Sequence, residues 1–282
     1  MPRPARSVII TGDDFGSSRG VNQAIVEAHR RGVLTSASLM VAGEAFEEAV
    51  DLARQNPSMA VGLHLTLVDG RSILSAREIP RLVDREGKFS SNPVTAGWRC
   101  QRNPSSARRE IRAQLEKFRG TGLNLSHVDG HQHLHLPPVV LKTLGDLARE
   151  FGIRAVRLPS EELGLALRVD REGWMQKVHT SAAFGALRWS YARRLLAGAG
   201  IRFADRVYGL LQTGRVTEEY LLGLIPQIRA DRVEIYSHPT MEPGQLSSKG
   251  ASRPQWEALV SGRVRAALDA AGFRLSTYAE LN

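Results

Sequence analysis

The feature of this sequence that most constrains its fold is the alternation of short apolar strand patterns with amphipathic helix patterns. Residues 8–11 form a β-branched run that predicts a buried strand, and apolar residues at helical spacing follow over residues 19–31. The remaining predicted strands cover residues 34–41, 59–67, 123–129, 153–158, 232–237 and 273–275. The predicted helices between them cover residues 45–54, 108–118, 137–151, 217–229 and 255–271. Such alternation predicts a mostly parallel sheet covered by helices.

The number of strand–helix units favours a closed or nearly closed sheet. About seven units in 282 residues fit an α/β fold of the (β/α) TIM-like barrel type, distorted or incomplete. An open, doubly wound sheet is the alternative. No linker is evident, so residues 1–282 are expected to form a single domain, with insertions at about residues 69–104 and 160–206.

The composition excludes some classes of protein and leaves others open. The single cysteine, Cys100, excludes an intrachain disulfide and a cysteine-based zinc site. The sequence contains no apolar run of about 18 residues and no signal-peptide pattern, so the cytosol is the expected location. A net charge of +9 could reflect nucleic-acid binding. However, no nucleic-acid-binding motif accompanies it, and a general preference for arginine explains it equally well.

Histidine and aspartate residues gather after the predicted strands. Six of the eight histidines lie at or beside these strand ends, at positions 64, 127, 131, 133, 135 and 238. Asp13 and Asp14 follow the first strand, and Asp129 follows the fourth. Because parallel strands end at the same edge of a sheet, these distant residues are expected to converge there.

The residue types at this edge predict a metal-assisted hydrolytic site. Of two adjacent carboxylates, one can bind a cation while the other acts as a general base. In extended geometry they point in opposite directions, so both are not expected to bind one ion. Residues 129–135 place polar side chains at every second position, which would share one face if the segment were extended. Imidazole and carboxylate ligands suit zinc or another divalent ion, and carboxylates also suit magnesium.

Four motifs support a more specific assignment. They are TGDDFG at residues 11–16, VGLHL at 61–65, HVDGHQHLH at 127–135 and SHP at 237–239. In order and spacing, the sequence resembles the YdjC-like carbohydrate deacetylases. Residues 34–43 and 208–215 resemble the branch of that family associated with hopanoid biosynthesis. Gly12 is a departure, since alanine is expected there, and it would leave more room beside the carboxylates or give a looser turn.

The resemblance implies a polysaccharide-deacetylase-like barrel that removes an N-acetyl group from an amino sugar with one divalent metal ion, magnesium or zinc. Its metal ligands would be Asp14, His64 and His131, with Asp13 as general base and His238 as the acid for the leaving amine. The residues expected to support the ligands or contact the substrate are Asp129, His133, His135 and Arg157.

The hopanoid branch would imply a lipid-linked substrate and peripheral contact with the inner face of the membrane. The stretch from residue 189 to 203, rich in aromatic and arginine residues, could provide that contact. It could equally form an oligomer contact or pack on the barrel. Two other functions remain open: a metal-dependent hydrolase of another amide or ester, and a non-catalytic lipid or sugar carrier. No nucleic-acid partner is expected.

Overall fold

A computed structural model describes residues 6–187, 191–242 and 251–281. Within these residues the strands are β1 (Arg6–Phe15), β2 (Ser36–Leu39), β3 (Ala60–Leu65), β4 (Leu125–Gly130), β5 (Arg206–Tyr208), β6 (Arg232–Ser237) and β7 (Phe273–Leu275). They pair in the order β4-β3-β2-β1-β6-β5, and β7 pairs with the first residues of β1. All of these pairs are parallel.

Helices connect the strands and cover the sheet. They are α1 (Arg19–Arg31), α2 (Phe46–Gln55), α3 (Pro93–Arg102), α4 (Pro104–Gly120), α5 (Pro138–Phe151), α6 (Leu163–Val169), α7 (Trp174–Leu187), α8 (Arg193–Gly198), α9 (Glu218–Leu224), α10 (Arg253–Val260) and α11 (Gly262–Ala270). The curled parallel sheet with alternating helices is an incomplete, TIM-like α/β barrel. The predicted fold class is therefore confirmed.

Strand register brings the ends of distant strands to one edge of the sheet. Gly12 in β1 lies opposite Ser237 in β6, and His64 in β3 lies opposite Asp129 in β4. The residues that follow these positions therefore meet at the carboxyl-terminal edge, as the alternation predicted. Gly12 itself has a packing role: a Cβ there would lie 2.8 Å from Ile25 Cγ1 and 2.9 Å from Leu34 Cδ1. The interpretation that Gly12 leaves room beside the carboxylates was wrong, since its missing Cβ points at core side chains.

Three predicted elements differ from the structure. Residues 153–158 form only isolated bridges, at Ala155 and Val156, instead of a regular strand. The predicted helix over 255–271 is two helices, because Ser261 has extended backbone angles and caps α11 with its hydroxyl group. The insertion at 69–104, for which no helix was predicted, contains α3, and Asn92 caps the first turn of that helix.

The structure also shows one strand that the sequence pattern did not predict. β5 begins at Arg206, the last residue of the predicted insertion at 160–206, and its three residues give too short an alternation to be recognised. The rest of that insertion supplies α6, α7 and α8. Among the described residues, no helix combines the length and apolar character that a membrane span requires.

Candidate metal centre and active site

The two adjacent aspartates at the end of β1 have different environments because the backbone turns at Asp14. Asp14 has a φ of +62°, in the left-handed region that aspartate tolerates better than most residues. The pairing of β1 with β2 shifts register between Gly12 and Phe15. Both carboxylates are buried, but Asp14 contacts His64 and Asp13 contacts Arg157. The strand end therefore gives the two adjacent carboxylates different contacts.

Asp14, His64 and His131 place three metal-binding groups within reach of one point. Asp14 Oδ1 lies 3.3 Å from His64 Nε2 and 3.0 Å from His131 Nδ1. Metal–ligand bonds of about 2.0–2.2 Å place neighbouring ligand atoms about 3.0–3.5 Å apart. These buried donor atoms have no hydrogen-bond partner among the described residues. Such buried, unpaired donors indicate that the three side chains fit a cation.

A second group of donors near the first is less suited to a metal. Asp13, His64 and Asp129 also lie close enough together to share an ion. However, Arg157 donates to both oxygens of Asp13, at 2.6 and 2.8 Å, and its Nη1 lies 2.8 Å from Asp129 Oδ2. Since these carboxylates already have a cationic partner, the group around Asp14 is the better candidate.

Asp129 orients His64 toward the proposed metal position. The Nδ1–H group of His64 donates to Asp129 Oδ1 at 2.8 Å, which leaves Nε2 facing Asp14. Ser38 donates its hydroxyl hydrogen to the other Asp129 oxygen at 2.8 Å. A carboxylate behind a histidine in this way is common at metal sites, where it fixes the tautomer and the ring orientation.

The charges of this cluster affect its titration. Burial alone would lower the pKa of His64, but Asp129 and Asp14 outweigh burial and raise that pKa to about 10. Burial alone would raise the pKa of Asp14, but His131 and His64 hold it well below its usual range. Each group is thus stabilised in its charged form by its neighbours, and a metal ion that binds His64 would displace the proton from its Nε2 atom, since only a neutral imidazole is a ligand.

Arg157 is the centre of a buried charge network beneath the site. It is fully buried, and it contacts Asp13, Asp129 and Glu234. Its guanidinium also lies 4.4 Å from the centre of the Tyr236 ring. With Asp14, the site contains four carboxyl groups and one guanidinium, so a divalent cation would offset part of the excess negative charge. The charge balance and the unpaired donor atoms of Asp14, His64 and His131 therefore both indicate a site for a cation.

The histidine-rich segment after β4 is a turn and not an extended strand. Residues His131–His133 form a 3₁₀ turn, with positive φ at Gln132 (47°) and His133 (57°). The condition under which the polar side chains of residues 129–135 would share one face, an extended segment, is therefore not met. His131 approaches Asp14, His133 hydrogen-bonds the Tyr236 hydroxyl at 2.9 Å, and His135 donates to the Arg157 carbonyl at 2.8 Å.

The turn gives the three histidines different surroundings. His131 lies in the cluster around Asp14, and His133 lines the adjacent cavity. Burial lowers the pKa of His133 well below its usual range and that of His135 to about 4, so both rings are neutral. His135 supports the backbone at Arg157. Each ring therefore has a separate position in the structure, although their sequence spacing is regular.

A cavity of about 740 Å³ opens over the cluster. Asp13, His64 and His131 lie on its wall together with His238. His238 Nε2 lies 3.9 Å from Asp13 Oδ2, and burial lowers the pKa of His238. A cavity of this size can hold a small ligand such as a mono- or disaccharide.

Three buried polar residues near the site were missed by the sequence analysis. Glu234 and Tyr236 lie on β6 at alternate positions, and Gln212 follows β5. Tyr236 and Gln212 line the cavity, and Glu234 bonds Arg157. A glutamate inside the otherwise apolar pattern of β6 is the signal that could have identified Glu234, because an unpaired carboxylate is costly in a core.

Comparison with known proteins shows similarity to carbohydrate deacetylases. One from Brevibacillus brevis is 44% identical over 155 residues, covering 54% of this chain and 59% of that protein. Another, from Vibrio vulnificus strain YJ016, is 40% identical over 158 residues, covering 55% of this chain and 61% of that protein. The match thus spans about three fifths of the length of these relatives.

Solved structures show a similar architecture. A crystal structure from Enterococcus faecalis V583, of a protein described as a candidate for cellobiose-phosphate cleavage, has a TM-score of 0.73 at 25% identity. The alignment covers 98% of this chain and 99% of that one. An uncharacterised protein from Agrobacterium tumefaciens C58 shares the fold at 11% identity and a TM-score of 0.51, over 97% of this chain and 88% of that one.

A family model covers nearly the whole chain. Residues 7–270 match the model described as YdjC-like protein. This region contains the proposed metal ligands, the cavity residues named above and Arg157. The chain therefore belongs to the YdjC-like protein family.

Proposed function

We propose that this protein is a metal-dependent carbohydrate deacetylase that removes an N-acetyl group from an amino sugar. The observation that carries the proposal is the convergence of unpaired donors from Asp14, His64 and His131 beside a cavity that also exposes Asp13. The names of the relatives from Brevibacillus and Vibrio support the reaction class.

The ligand set narrows the choice of metal. Asp14, His64 and His131 would hold one divalent ion, and two imidazole ligands favour zinc or a similar transition ion over magnesium. A bound ion of this kind supplies a Lewis acid that polarises the acetyl carbonyl and stabilises negative charge on its oxygen. Asp129 would keep His64 in the tautomer that presents Nε2.

Asp13 is the proposed general base. Arg157 binds both of its oxygens and holds the carboxylate at the cavity wall, where it can take a proton from the attacking water. The water oxygen forms the new bond to the acetyl carbon. The bond between that carbon and the sugar nitrogen then breaks, which gives acetate and a free amine.

His238 is the proposed acid for the leaving nitrogen. It lines the same cavity, and its Nε2 lies 3.9 Å from Asp13, which has just accepted the proton from water. Transfer of a proton through His238 to the nitrogen avoids expulsion of an amide anion, a poor leaving group. The neighbouring His133, held by Tyr236, is a proposed substrate contact, and His135 supports Arg157.

A narrower proposal concerns the substrate. The cavity has apolar as well as polar walls, since Phe184, Leu210 and Leu211 line it together with the acid and base. An apolar wall of this kind suits a sugar attached to a lipid, and the resemblance named above suggests an N-acetylglucosaminyl hopanoid. Acetate release from the lipid-linked sugar at a higher kcat/KM than from the free sugar would support this narrower proposal. A preference for the free sugar would contradict it.

The test of the general proposal is acetate release from an N-acetylglucosamine compound by metal-loaded protein. Asp13→Asn should retain the metal and lose most of the activity, whereas His64→Ala should lose the metal itself. Full activity of either variant would contradict the assigned roles. Turnover of a different amide or an ester without acetate release from the sugar would indicate another hydrolase on the same site.

A further inference from the structure

Large apolar side chains are exposed on only two helices of the described part of the chain. They are Val94, Trp98, Trp174, Met175 and Val178. The first two lie on α3 and the other three on α7. On each helix they share a face, because residues four positions apart lie on the same side. We call these five residues the rim patch.

Both helices border the loop that carries His131. A Cβ at Gly97 of α3 would lie 3.5 Å from Leu134, which follows the 3₁₀ turn. On α7, the Phe184 ring lies 5.4 Å from the ring of His133. The helix also lines the cavity along its length, from Gly173 to Phe184. Of the two helices that carry the rim patch, α7 therefore lines the cavity, and α3 packs against the loop that carries His131.

The segment that carries the α3 half of the rim patch is basic and contains no acidic residue. Residues 87–109, which include α3, contain five cations and no aspartate or glutamate. Residues 173–204, which include α7, lack an acidic residue, but the exposed Glu172 directly precedes them and Lys177 of α7 is buried against Asp170. The Arg102 guanidinium lies 5.2 Å from the centre of the Trp98 ring, and Arg102, Arg193 and Arg194 are exposed. The α3 half of the patch thus combines exposed tryptophan and aliphatic side chains with arginine, and the α7 half adds further exposed apolar side chains.

This combination favours a lipid surface over other occupants. Tryptophan beside arginine is typical of the interface between water and anionic headgroups. A symmetric dimer through the same patch would place two basic surfaces against each other, which costs free energy. Nucleic acid would use the arginines but would leave Met175 and Val178 exposed without a purpose.

We propose that the rim patch docks this protein on an anionic lipid bilayer, with the mouth of the cavity toward the membrane. A membrane contact at residues 189–203 was one of the interpretations of the sequence pattern. Of that stretch, Trp189 lies outside the described residues, and Tyr191, Leu195 and Phe203 pack against the core. The docking surface goes beyond the deacetylase activity, because binding is measured without turnover.

The experiment is co-sedimentation of the full chain with vesicles of phosphatidylcholine alone or with 30% phosphatidylglycerol, at low salt. The wild-type protein should bind the anionic vesicles. Trp98→Ser combined with Trp174→Ser should reduce the partition coefficient by at least about tenfold. Arg102→Ser should reduce it about fivefold. Arg31→Ser is the matched control, since Arg31 is also an exposed arginine in the last turn of a helix, but at the opposite edge of the sheet.

Each of the following outcomes would overturn the proposal. Absence of binding to anionic vesicles would exclude the lipid surface. An equal effect of Arg31→Ser and Arg102→Ser would show that total charge, and not the rim patch, causes the binding. A dimer in light scattering that the double variant dissociates, without vesicle binding, would make the patch an interface between copies. Circular dichroism would check that the variants fold, as expected for exposed positions.

Discussion

Replacing Asp129 by asparagine tests whether the buried carboxylate behind His64 supports metal binding. Asp129 accepts hydrogen bonds from His64 and Ser38 and contacts Arg157. An asparagine has one acceptor oxygen and one donor NH₂ group, so it cannot accept from all three groups. Its NH₂ group must face at least one donor, and His64 then loses its fixed orientation or Arg157 shifts.

The expected loss follows from the role of such supporting carboxylates. Their removal typically weakens metal binding about 10–100-fold, which corresponds to about 1.4–2.8 kcal/mol of binding free energy. We therefore expect Asp129→Asn to raise the Kd for Zn²⁺ by that factor. The assay is isothermal titration calorimetry of metal-free protein, with a parallel titration of Mg²⁺.

Glu234→Gln is the matched control for this experiment. Glu234 is buried and bonds the same guanidinium as Asp129, but its other hydrogen bonds are to Thr11 and Tyr278 rather than to a proposed ligand. It should leave the Zn²⁺ affinity nearly unchanged. An unchanged affinity for Asp129→Asn, or an equal loss for both variants, would refute the reasoning.

Three further predictions follow from the same structure. Asp13→Asn should reduce kcat for acetate release about 10²–10⁴-fold with unchanged metal content; retained activity would contradict its role as base. Arg157→Met should lower the free energy of unfolding in urea by about 3–5 kcal/mol, because it leaves buried carboxylates unpaired; a loss below 1 kcal/mol would contradict this. Burial raises the pKa of Glu161 to about 7, above its unfolded value, so its contribution to stability falls as pH rises from about 4 to 7. Relative to the wild type, Glu161→Gln should therefore be more stable at pH 8 than at pH 5, by on the order of 2 kcal/mol in the free energy of unfolding. The same dependence of stability on pH in the variant and the wild type would contradict the assignment.

The sheet edge that carries the site could be predicted because it depends on strand periodicity alone. The alternation of apolar residues around His64 identified β3, and the β-branched run before Asp13 identified β1. Parallel strands must end together, so the convergence of their polar ends followed without knowledge of any contact. The observed register of His64 opposite Asp129 agrees with that expectation.

The local geometry of the ligands could not be predicted because it depends on backbone conformations that the sequence pattern conceals. The spacing of the histidines after β4 is compatible with an extended segment, but positive φ values at Gln132 and His133 turn the chain. Asp14 likewise adopts a left-handed conformation for which aspartate has only a mild preference. Both depend on tertiary contacts formed around the site.

The contacts of the charge network and the rim patch could not be predicted for a related reason. Arg157 was expected to support the site, but it lies within residues 153–158, which resemble a buried strand, and nothing local shows that it reaches Asp13, Asp129 and Glu234. Trp98 and Trp174 resemble core residues in the sequence, since most large aromatic side chains are buried. Their exposure emerges only when both helices are seen to pack with other faces toward the core.

The most direct test of the proposed metal centre is anomalous diffraction from a crystal soaked in Zn²⁺ and measured on both sides of the zinc absorption edge. The account predicts one strong peak at about 2.0–2.2 Å from a carboxylate oxygen of Asp14, His64 Nε2 and a ring nitrogen of His131. A peak bound instead by other residues, or no peak at this edge of the sheet, would contradict it.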